Sequence, residues 1–141
     1  MRKICVALLG TLMLVPLLAE AQLPHLTVTV RGLKPTTGTI EVSVFNSADG
    51  FLKKPVVQKS KPVDGQAEIA VKFAGLSNGD YAVVVVHDAN GNGVLDTGFL
   101  GFGGEQYGYS NDASSWLGRP SFNQARITIG EEDKEIVINL K

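Results

Sequence analysis

Apolar and polar residues alternate with a period of two along most of the chain after residue 22. Successive side chains of a strand point to opposite faces, so this period predicts β-strands with one face toward a core. The repeating apolar positions are Leu26, Val28 and Val30; Ile40, Val42 and Val44; Ala67, Ile69, Val71 and Phe73; Ile127 and Ile129; and Ile136, Ile138 and Leu140. Thr36–Gly38, after Pro35, predicts a hairpin turn between the first two strands.

One segment departs from the alternation because both of its faces are apolar. In Tyr81–Val86 every residue is apolar, which indicates a central strand with cover on its second side. No segment combines a sustained apolar period of 3.6 residues with good caps, so we expect little helix. The sequence therefore predicts an all-β fold, a single antiparallel β-sandwich of about seven strands.

Two stretches lack a clear period. Residues 46–65 contain Pro55, Pro62 and four lysines, which predicts a loop and one edge strand, because proline and lysine discourage further pairing. Between the central strand and a strand starting near Ala125 lies a connection of about 35 residues, long enough to indicate a function or specific anchoring. It is rich in glycine and aromatic residues, so we expect it to cover Val84 and Val86. The aromatic residues are Phe99, Phe102, Tyr107, Tyr109, Trp116 and Phe122.

The first residues have the pattern of a secretory signal peptide. A basic start at Arg2 and Lys3 precedes an apolar run of about fifteen residues, shorter than a spanning helix needs. Ala19 and Ala21 are the small residues that signal peptidase reads, which predicts residues 1–21 as signal peptide and 22–141 as the mature β-sandwich domain. A retained membrane anchor is the alternative. Cys5, the single cysteine, would leave with the signal.

Charge excludes some partners. The chain has 13 Lys+Arg and 14 Asp+Glu, and removal of Arg2, Lys3 and Glu20 leaves 11 basic and 13 acidic residues, a net charge of −2. No basic surplus is available to neutralise a nucleic-acid backbone or to attract an anionic membrane. We expect a periplasmic or secreted protein without a transmembrane anchor after cleavage.

The long loop opens with the one motif that carries chemistry, Asp88–Asp96. Its side-chain oxygens and backbone carbonyl are spaced as in the first part of a calcium-binding loop, with Gly93 at the sharp bend. The predicted Ca²⁺ ligands are Asp88, Asn90, Asn92, the carbonyl of Val94, Asp96 and, folding back from beyond, Glu105.

The motif departs from a helical calcium hand at its last position. Phe99 stands where a bidentate carboxylate belongs. Glu105 or Asp112 could replace that carboxylate, and we expect weak, structural binding with Kd of about 10⁻⁴ to 10⁻³ M. The alternative is a metal-free turn, since two Asn-Gly pairs and Asx hydrogen bonds stabilise such a loop by themselves.

Evidence for catalysis in the sequence is limited to His87. A small hydrolase or lyase would use His87 with Asp88, Asp96 or Glu105. A lone histidine at a strand end is more often a hydrogen-bonded structural residue, and no serine lies in a nucleophile-elbow context. The aromatic loop could instead bind a small apolar or sugar ligand, with Trp116 fluorescence as its reporter.

Three ordered motifs resemble a bacterial secreted family, domain of unknown function 2141. They are Gly79–Ala82 leading to His87–Asp96, then Tyr107–Asn111, and then Arg119–Ala125. Gly103-Gly104 before Glu105 departs from the Pro-containing step expected there. The resemblance covers nearly the whole mature chain and implies export but no activity. More distantly, the chain is similar to transthyretin-like and carboxypeptidase-regulatory-like sandwiches, which are often accessory modules.

Together these observations predict an exported, non-enzymatic binding or accessory module of the cell envelope. Its partner would be a protein or a small molecule that the sequence does not name. The calcium-bound loop would shape the surface that meets this partner.

Overall fold

The computed structural model describes residues 22–93 and 104–141, so the predicted signal peptide lies outside the described residues. Strands account for nearly all of the regular structure, and the single α-helix in the described part has four residues. The strands are β1 (His25–Arg31), β2 (Thr39–Phe45), β3 (Val57–Pro62), β4 (Glu68–Ala74), β5 (Gly79–Asp88), β6 (Tyr107–Tyr109), β7 (Arg126–Ile129) and β8 (Lys134–Asn139); a 3₁₀ turn spans Ser110–Asp112 and α1 spans Phe122–Ala125.

The strands form two sheets, which confirms the all-β, sandwich-like prediction. The smaller sheet has the order β4-β1-β8, and the larger begins β3-β2-β5. On its far side β5 pairs with two strands in succession, with β7 along its first half and β6 along its second. The predicted central strand is therefore hydrogen-bonded on both sides along most of its length.

The hairpin predicted at Thr36–Gly38 is wrong. β1 pairs with β4 and β8, whereas β2 pairs with β3 and β5, so the connection passes from one sheet to the other. The arrangement is also not wholly antiparallel, because β8 runs parallel to β1. Alternation reports which face of a strand is buried but not which strand lies beside it, and both errors have this cause.

The predicted inward positions form one inter-sheet core, except that Ala67 is exposed and Ile136 is only partly buried against the core. Leu26, Ile40, Val85 and Ile138 are fully buried between the sheets. We call this set the inter-sheet core; its buried members are Leu26, Val28, Val30, Leu33, Ile40, Val42, Val44, Val63, Ile69, Val71, Phe73, Leu76, Tyr81, Val83, Val85, Ile127, Ile129, Ile138 and Leu140. Alternate residues of β5 face it, so the remaining residues of β5 must be buried on the opposite side.

A second apolar group, the outer cluster, covers that opposite side. It consists of Phe45, Phe51, Ala82, Val84, Tyr109, Phe122 and Ala125. The predicted cover of Val84 is confirmed for Tyr109 and Phe122 of the long loop, whereas Val86 is only half-buried and lies outside the cluster. Phe51 comes from the turn between β2 and β3. Its ring meets those of Phe45 and Phe122 edge-on, with centroids 5.4 and 6.0 Å apart. Trp116 takes no part, because its side chain is 93% exposed.

Different contacts close the two open edges of the sandwich. The predicted edge strand is β3, whose Lys59 and Lys61 reach across to β4 and donate to the carbonyl oxygens of Lys72 and Ala70. Inward-pointing lysines of this kind occupy carbonyls that could otherwise pair with another chain. On the other side Lys141 N–H donates to the Tyr107 carbonyl at 3.0 Å, which joins the two sheets directly.

Candidate functional site

The candidate metal loop begins where β5 ends. Along this strand His87 points into the inter-sheet core and is fully buried, whereas Asp88 points to the outer face and is half-buried. Because neighbouring strand residues face opposite ways, the two side chains diverge. The predicted alternative of a His87–Asp88 catalytic pair therefore has no support from the geometry.

The Asp88 carboxylate organises the turn that follows. Oδ1 accepts hydrogen bonds from the backbone N–H of Gly91 at 2.7 Å and of Asn92 at 3.2 Å, and Oδ2 accepts from Gly93 at 2.7 Å. The Gly93 bond is the main reason that the pKa of Asp88 lies below its usual value, with Gly91, Asn92 and Glu105 also lowering it against a desolvation effect. Gly91 and Gly93 both have left-handed φ, of 75° and 72°, which glycine adopts without strain.

The far end of the long loop returns to the same place. A carboxyl oxygen of Glu105 accepts from the backbone N–H of Ala89 at 2.9 Å. A side-chain hydrogen bond between Glu105 and Asp88 also contributes to the low pKa of Asp88. Two carboxyl groups that are 17 positions apart in the sequence therefore meet at the mouth of the loop. Of the two acids predicted as able to fold back, Glu105 lies beside the first residues of the loop, whereas the Asp112 carboxylate accepts from Asn139.

Only part of the predicted ligand set can be placed. Val94 and Asp96 lie outside the described residues. Within residues 22–93 and 104–141 no group of three or more His, Cys, Asp or Glu side chains is arranged to hold a metal. The predicted side-chain ligands that are placed are Asp88, Asn90, Asn92 and Glu105, and their oxygen atoms are a donor type that suits Ca²⁺. The Oδ1 atom of Asn90 also accepts from the backbone N–H of Asn92 at 3.0 Å.

These contacts leave the donors chemically competent. Asp88 Oδ2 accepts one backbone N–H and keeps a lone pair for a cation, whereas Oδ1 already accepts two. The same hydrogen bonds would form in a metal-free Asx turn. The placed residues therefore fit a calcium ion, and they also fit the alternative turn.

His87 has the structural role that a strand-end histidine most often has. Its Nε2 atom lies 2.7 Å from the Thr37 carbonyl oxygen, so Nε2 carries the proton and donates. Its Nδ1 atom is buried and makes no hydrogen bond within the described part of the chain. His87 thereby ties the end of β5 to the connection between the sheets.

Gly38 lies in the same connection and was misread as part of a hairpin. A Cβ atom at this position, whose φ is 91°, would collide with the carbonyl oxygen of Asp88, and it would lie 2.7 Å from the Cα atom of Ala89. The crossing between the sheets therefore passes directly beneath the loop and supports its first residues. No local sequence signal distinguishes this close approach from an ordinary turn glycine.

The motifs Tyr107–Asn111 and Arg119–Ala125 both lie beside β5, and neither was assigned a role from the sequence. Between the partners of β7 and β6, the backbone N–H of Val83 has no strand opposite it and donates instead to Ser110 Oγ at 2.9 Å. Asn111 Nδ2 donates to the carbonyl of Arg126 at 2.7 Å, which attaches the 3₁₀ turn to β7. Ser110 is fully buried, and its position in the Tyr107–Asn111 motif is the signal that could have identified it.

Gln106 is a third residue that sequence reasoning missed. Its side chain donates to the Gly32 carbonyl at 2.8 Å and accepts from the Lys34 N–H at 2.5 Å. Its own carbonyl accepts from His87 N–H at 2.8 Å. Gln106 therefore anchors the returning end of the loop to both sheets, next to Glu105.

Comparison with known proteins identifies a family but no characterised relative. Residues 28–137 match the model of a family described as uncharacterized protein conserved in bacteria, domain of unknown function 2141. The chain belongs to this family, as its three motifs predict. No curated protein matches the chain, and neither does any solved structure. Within the described residues, no helix has the length and apolar character to cross a membrane.

Proposed function

Since the chain belongs to a bacterial family without a characterised activity, we propose its function from its own geometry: an exported, non-enzymatic binding module of the cell envelope with a structural calcium loop. The observation that carries the calcium assignment is the meeting of the Asp88 and Glu105 carboxyl groups at the mouth of the loop. A hydrogen bond between two carboxyl groups needs one proton, and a divalent cation would take the place of that proton and use both carboxylates as ligands.

The ion would be held by oxygen atoms of Asp88, Asn90, Asn92 and Glu105, with Val94 and Asp96 as the further predicted ligands. Bound calcium would link the start of the loop to its end. Glu105 is next to Gln106, which is tied to both sheets, so the ion would couple the loop to the rigid part of the fold. The proposed role is thus to restrain the chain that follows β5 and the surface that it presents.

A binding role is preferred to catalysis because of the direction of His87. Its ring is buried in the inter-sheet core and donates to Thr37, while Asp88 and Glu105 meet on the opposite face of β5. A substrate at the loop would therefore not reach the imidazole. The motif residues Ser110 and Asn111 are likewise committed to holding β5 and β7.

Thermal unfolding of residues 22–141 in EDTA, in calcium and in magnesium tests the calcium loop. With Kd of about 1 mM, a calcium concentration of about 10 mM stabilises the folded state by about 1.4 kcal/mol. For a domain of this size we expect Tm to rise by about 4 °C. Magnesium should give a smaller rise, because it requires a more regular oxygen cage.

Matched variants distinguish a calcium site from a metal-free turn. Asp88→Ala should abolish the calcium response, and Glu105→Gln should reduce it while leaving the Asx bonds of Asp88 in place. Asp64→Ala changes an exposed acid in the turn before β4 and should retain the full response. No rise in calcium, or an unchanged rise in Asp88→Ala, would show that the loop is a metal-free turn.

A further inference from the structure

A cleft away from the metal loop lies where β6 meets the end of β8. Its cavity volume is about 70 Å³, below the range of pockets that enclose a whole small molecule, so a ligand would lie partly outside it. Tyr107 and Tyr109 form its aromatic side, and Asp112, Ser115, Asn139 and Lys141 supply polar groups. None of the loop residues Asp88–Gly93 lines it.

β6 and β8 approach each other closely along one wall of the cleft. A Cβ atom at Gly108 would lie 2.6 Å from Ile138 Cγ2 and 3.0 Å from the Asn139 carbonyl oxygen. Only glycine therefore lets the two strands meet here, and their meeting forms the floor of the cleft. The Lys141 N–H bond to Tyr107 extends the same junction.

The polar side of the cleft is held in an unusual backbone conformation. Asn111 and Asp112 are consecutive non-glycine residues with positive φ, of 61° and 47°. Such conformations persist only when surrounding contacts enforce them, and they are frequent at functional sites. Here the two Asp112 carboxylate oxygens accept from the backbone N–H and the side-chain Nδ2 of Asn139, at 3.0 and 2.8 Å. These bonds fix the carboxylate in the cleft lining and leave each oxygen a further lone pair.

The aromatic side offers a fixed and accessible ring. Tyr107 is 43% exposed, whereas Tyr109 beneath it is buried. The two rings are T-shaped, with centroids 5.9 Å apart, so Tyr109 limits the motion of the exposed ring. A partly exposed aromatic ring that rests against a neighbouring ring can stack against the apolar face of a ligand.

A tight turn forms the third side. Ser115 and Gly118 pair as an isolated bridge, and both line the cleft. The turn is stabilised by the Leu117 N–H bond to Ser115 Oγ at 3.2 Å. Trp116 and Leu117 at its tip are 93% and 79% exposed.

We propose that this cleft binds one ring of a neutral sugar. The lining brings one acidic and one basic side chain, Asp112 and Lys141, so it favours no net charge in the ligand. A supported aromatic ring beside fixed carboxylate, amide and hydroxyl groups matches a ligand with an apolar ring face and several hydroxyls. A purely apolar ligand would leave these polar groups without partners at a cost in affinity. The inference does not depend on calcium, because the two sites share no residue.

Titration of ¹⁵N-labelled protein followed by NMR tests this assignment. The probes are methyl β-glucoside, galactose and N-acetylglucosamine, with glucose 6-phosphate, glucosamine and a proline tetrapeptide as comparisons. We expect at least one neutral sugar to bind with Kd of about 1 mM. The amides that shift should be those of Gly108, Ser115 and Gly118. The result should be the same in EDTA, which separates this site from the calcium loop.

Variants of Tyr107 identify the site. Tyr107→Ala should weaken sugar binding about tenfold, whereas Tyr107→Phe, which keeps the ring, should stay within about twofold. Because Tyr107 is partly exposed, both variants should fold, and Val137→Ala on the outside of the smaller sheet is the surface control. The proposal is overturned if no neutral sugar saturates, if only a charged sugar or the peptide does, or if Tyr107→Ala binds like the parent protein.

Discussion

The inter-sheet core and the outer cluster are both apolar and share β5, but they arise from the sequence in different ways. In the inter-sheet core, members that are close in the chain alternate along single strands, as in Leu26, Val28 and Val30. The outer cluster brings together residues between positions 45 and 125 that come from three strands, a turn and α1. Phe51, Tyr109 and Phe122 are each on a separate segment.

Because the two groups are built differently, we expect substitutions in the inter-sheet core to change mainly the stability of the fold, and substitutions in the outer cluster to change mainly the surface. The inter-sheet core spans six strands of the two sheets, so a loss of packing there should weaken the whole sandwich. The outer cluster instead joins β6, whose Tyr109 also lines the proposed cleft, to α1 through Phe122 and Ala125. Loss of one ring there should free those segments before it unfolds the sandwich.

Truncating one phenyl ring in each group gives the largest expected effects. Phe73 is 1% exposed in the inter-sheet core, and Phe73→Ala should destabilise the fold by about 4 kcal/mol. Phe51 is 8% exposed and belongs to a turn, where the backbone can relax more easily than in a strand, so Phe51→Ala should cost less, about 3 kcal/mol. Urea unfolding measures both values.

Hydrogen exchange distinguishes the consequences of the two substitutions. Phe51→Ala should accelerate exchange at the Tyr109 and Ala125 amides and leave the Val28 amide protected. Phe73→Ala should accelerate all three, since the whole sandwich opens. Equal losses of protection throughout the molecule in both variants would mean that the two groups are one cooperative unit.

Adding a methyl group at Gly108 tests the contact between β6 and β8. β6 carries Tyr109 of the outer cluster, and β8 carries Ile138 of the inter-sheet core. The close approach to Ile138 and Asn139 makes Gly108→Ala an overpacking change, expected to cost about 2 kcal/mol. Gly130 has no atom within 4 Å of the corresponding position, so Gly130→Ala should change stability by less than about 0.5 kcal/mol. Equal melting temperatures for the two variants would show that β6 moves away from β8 without penalty.

The smallest expected effect is the contribution of Asp88, at the end of β5, to the pH dependence of stability. The pKa of Asp88 is lowered in the folded state, chiefly by the N–H of Gly93. The stabilisation from the ionised carboxylate is therefore complete at neutral pH and is lost as acid protonates it, below about pH 4. In EDTA, parent protein should melt above Asp88→Asn at pH 7, and the difference should shrink toward pH 3.

Asp133 provides a matched comparison on the smaller sheet. The backbone N–H of His25 is the main cause of its lowered pKa, so Asp133→Asn should show the same pH dependence away from the loop. A difference between parent and Asp88→Asn that stays constant or grows in acid would contradict the role of the ionised carboxylate.

Sequence reasoning succeeded where a structure depends on neighbouring residues. The period of two predicted the buried face of nearly every strand, the double burial of Tyr81–Val86 placed β5 at the centre, and the oxygen spacing from Asp88 to Asn92 predicted the turn around Gly93. It failed for Thr36–Gly38 and for Trp116, because strand partners and side-chain cover depend on segments distant in the chain. The calcium loop itself stays a prediction, with Val94 and Asp96 outside the described residues.

The sequence by itself determined the family, the β-class and the division of each strand into an inner and an outer face, because all of these follow from local pattern and side-chain alternation. Only the tertiary structure decided the parallel pairing of β8 with β1, the contact of Glu105 with Asp88, and the cleft beside Tyr107. Each of these brings together residues from separate segments. Such contacts depend on how the two sheets cross and pack, since one strand face can satisfy its burial against many different partners.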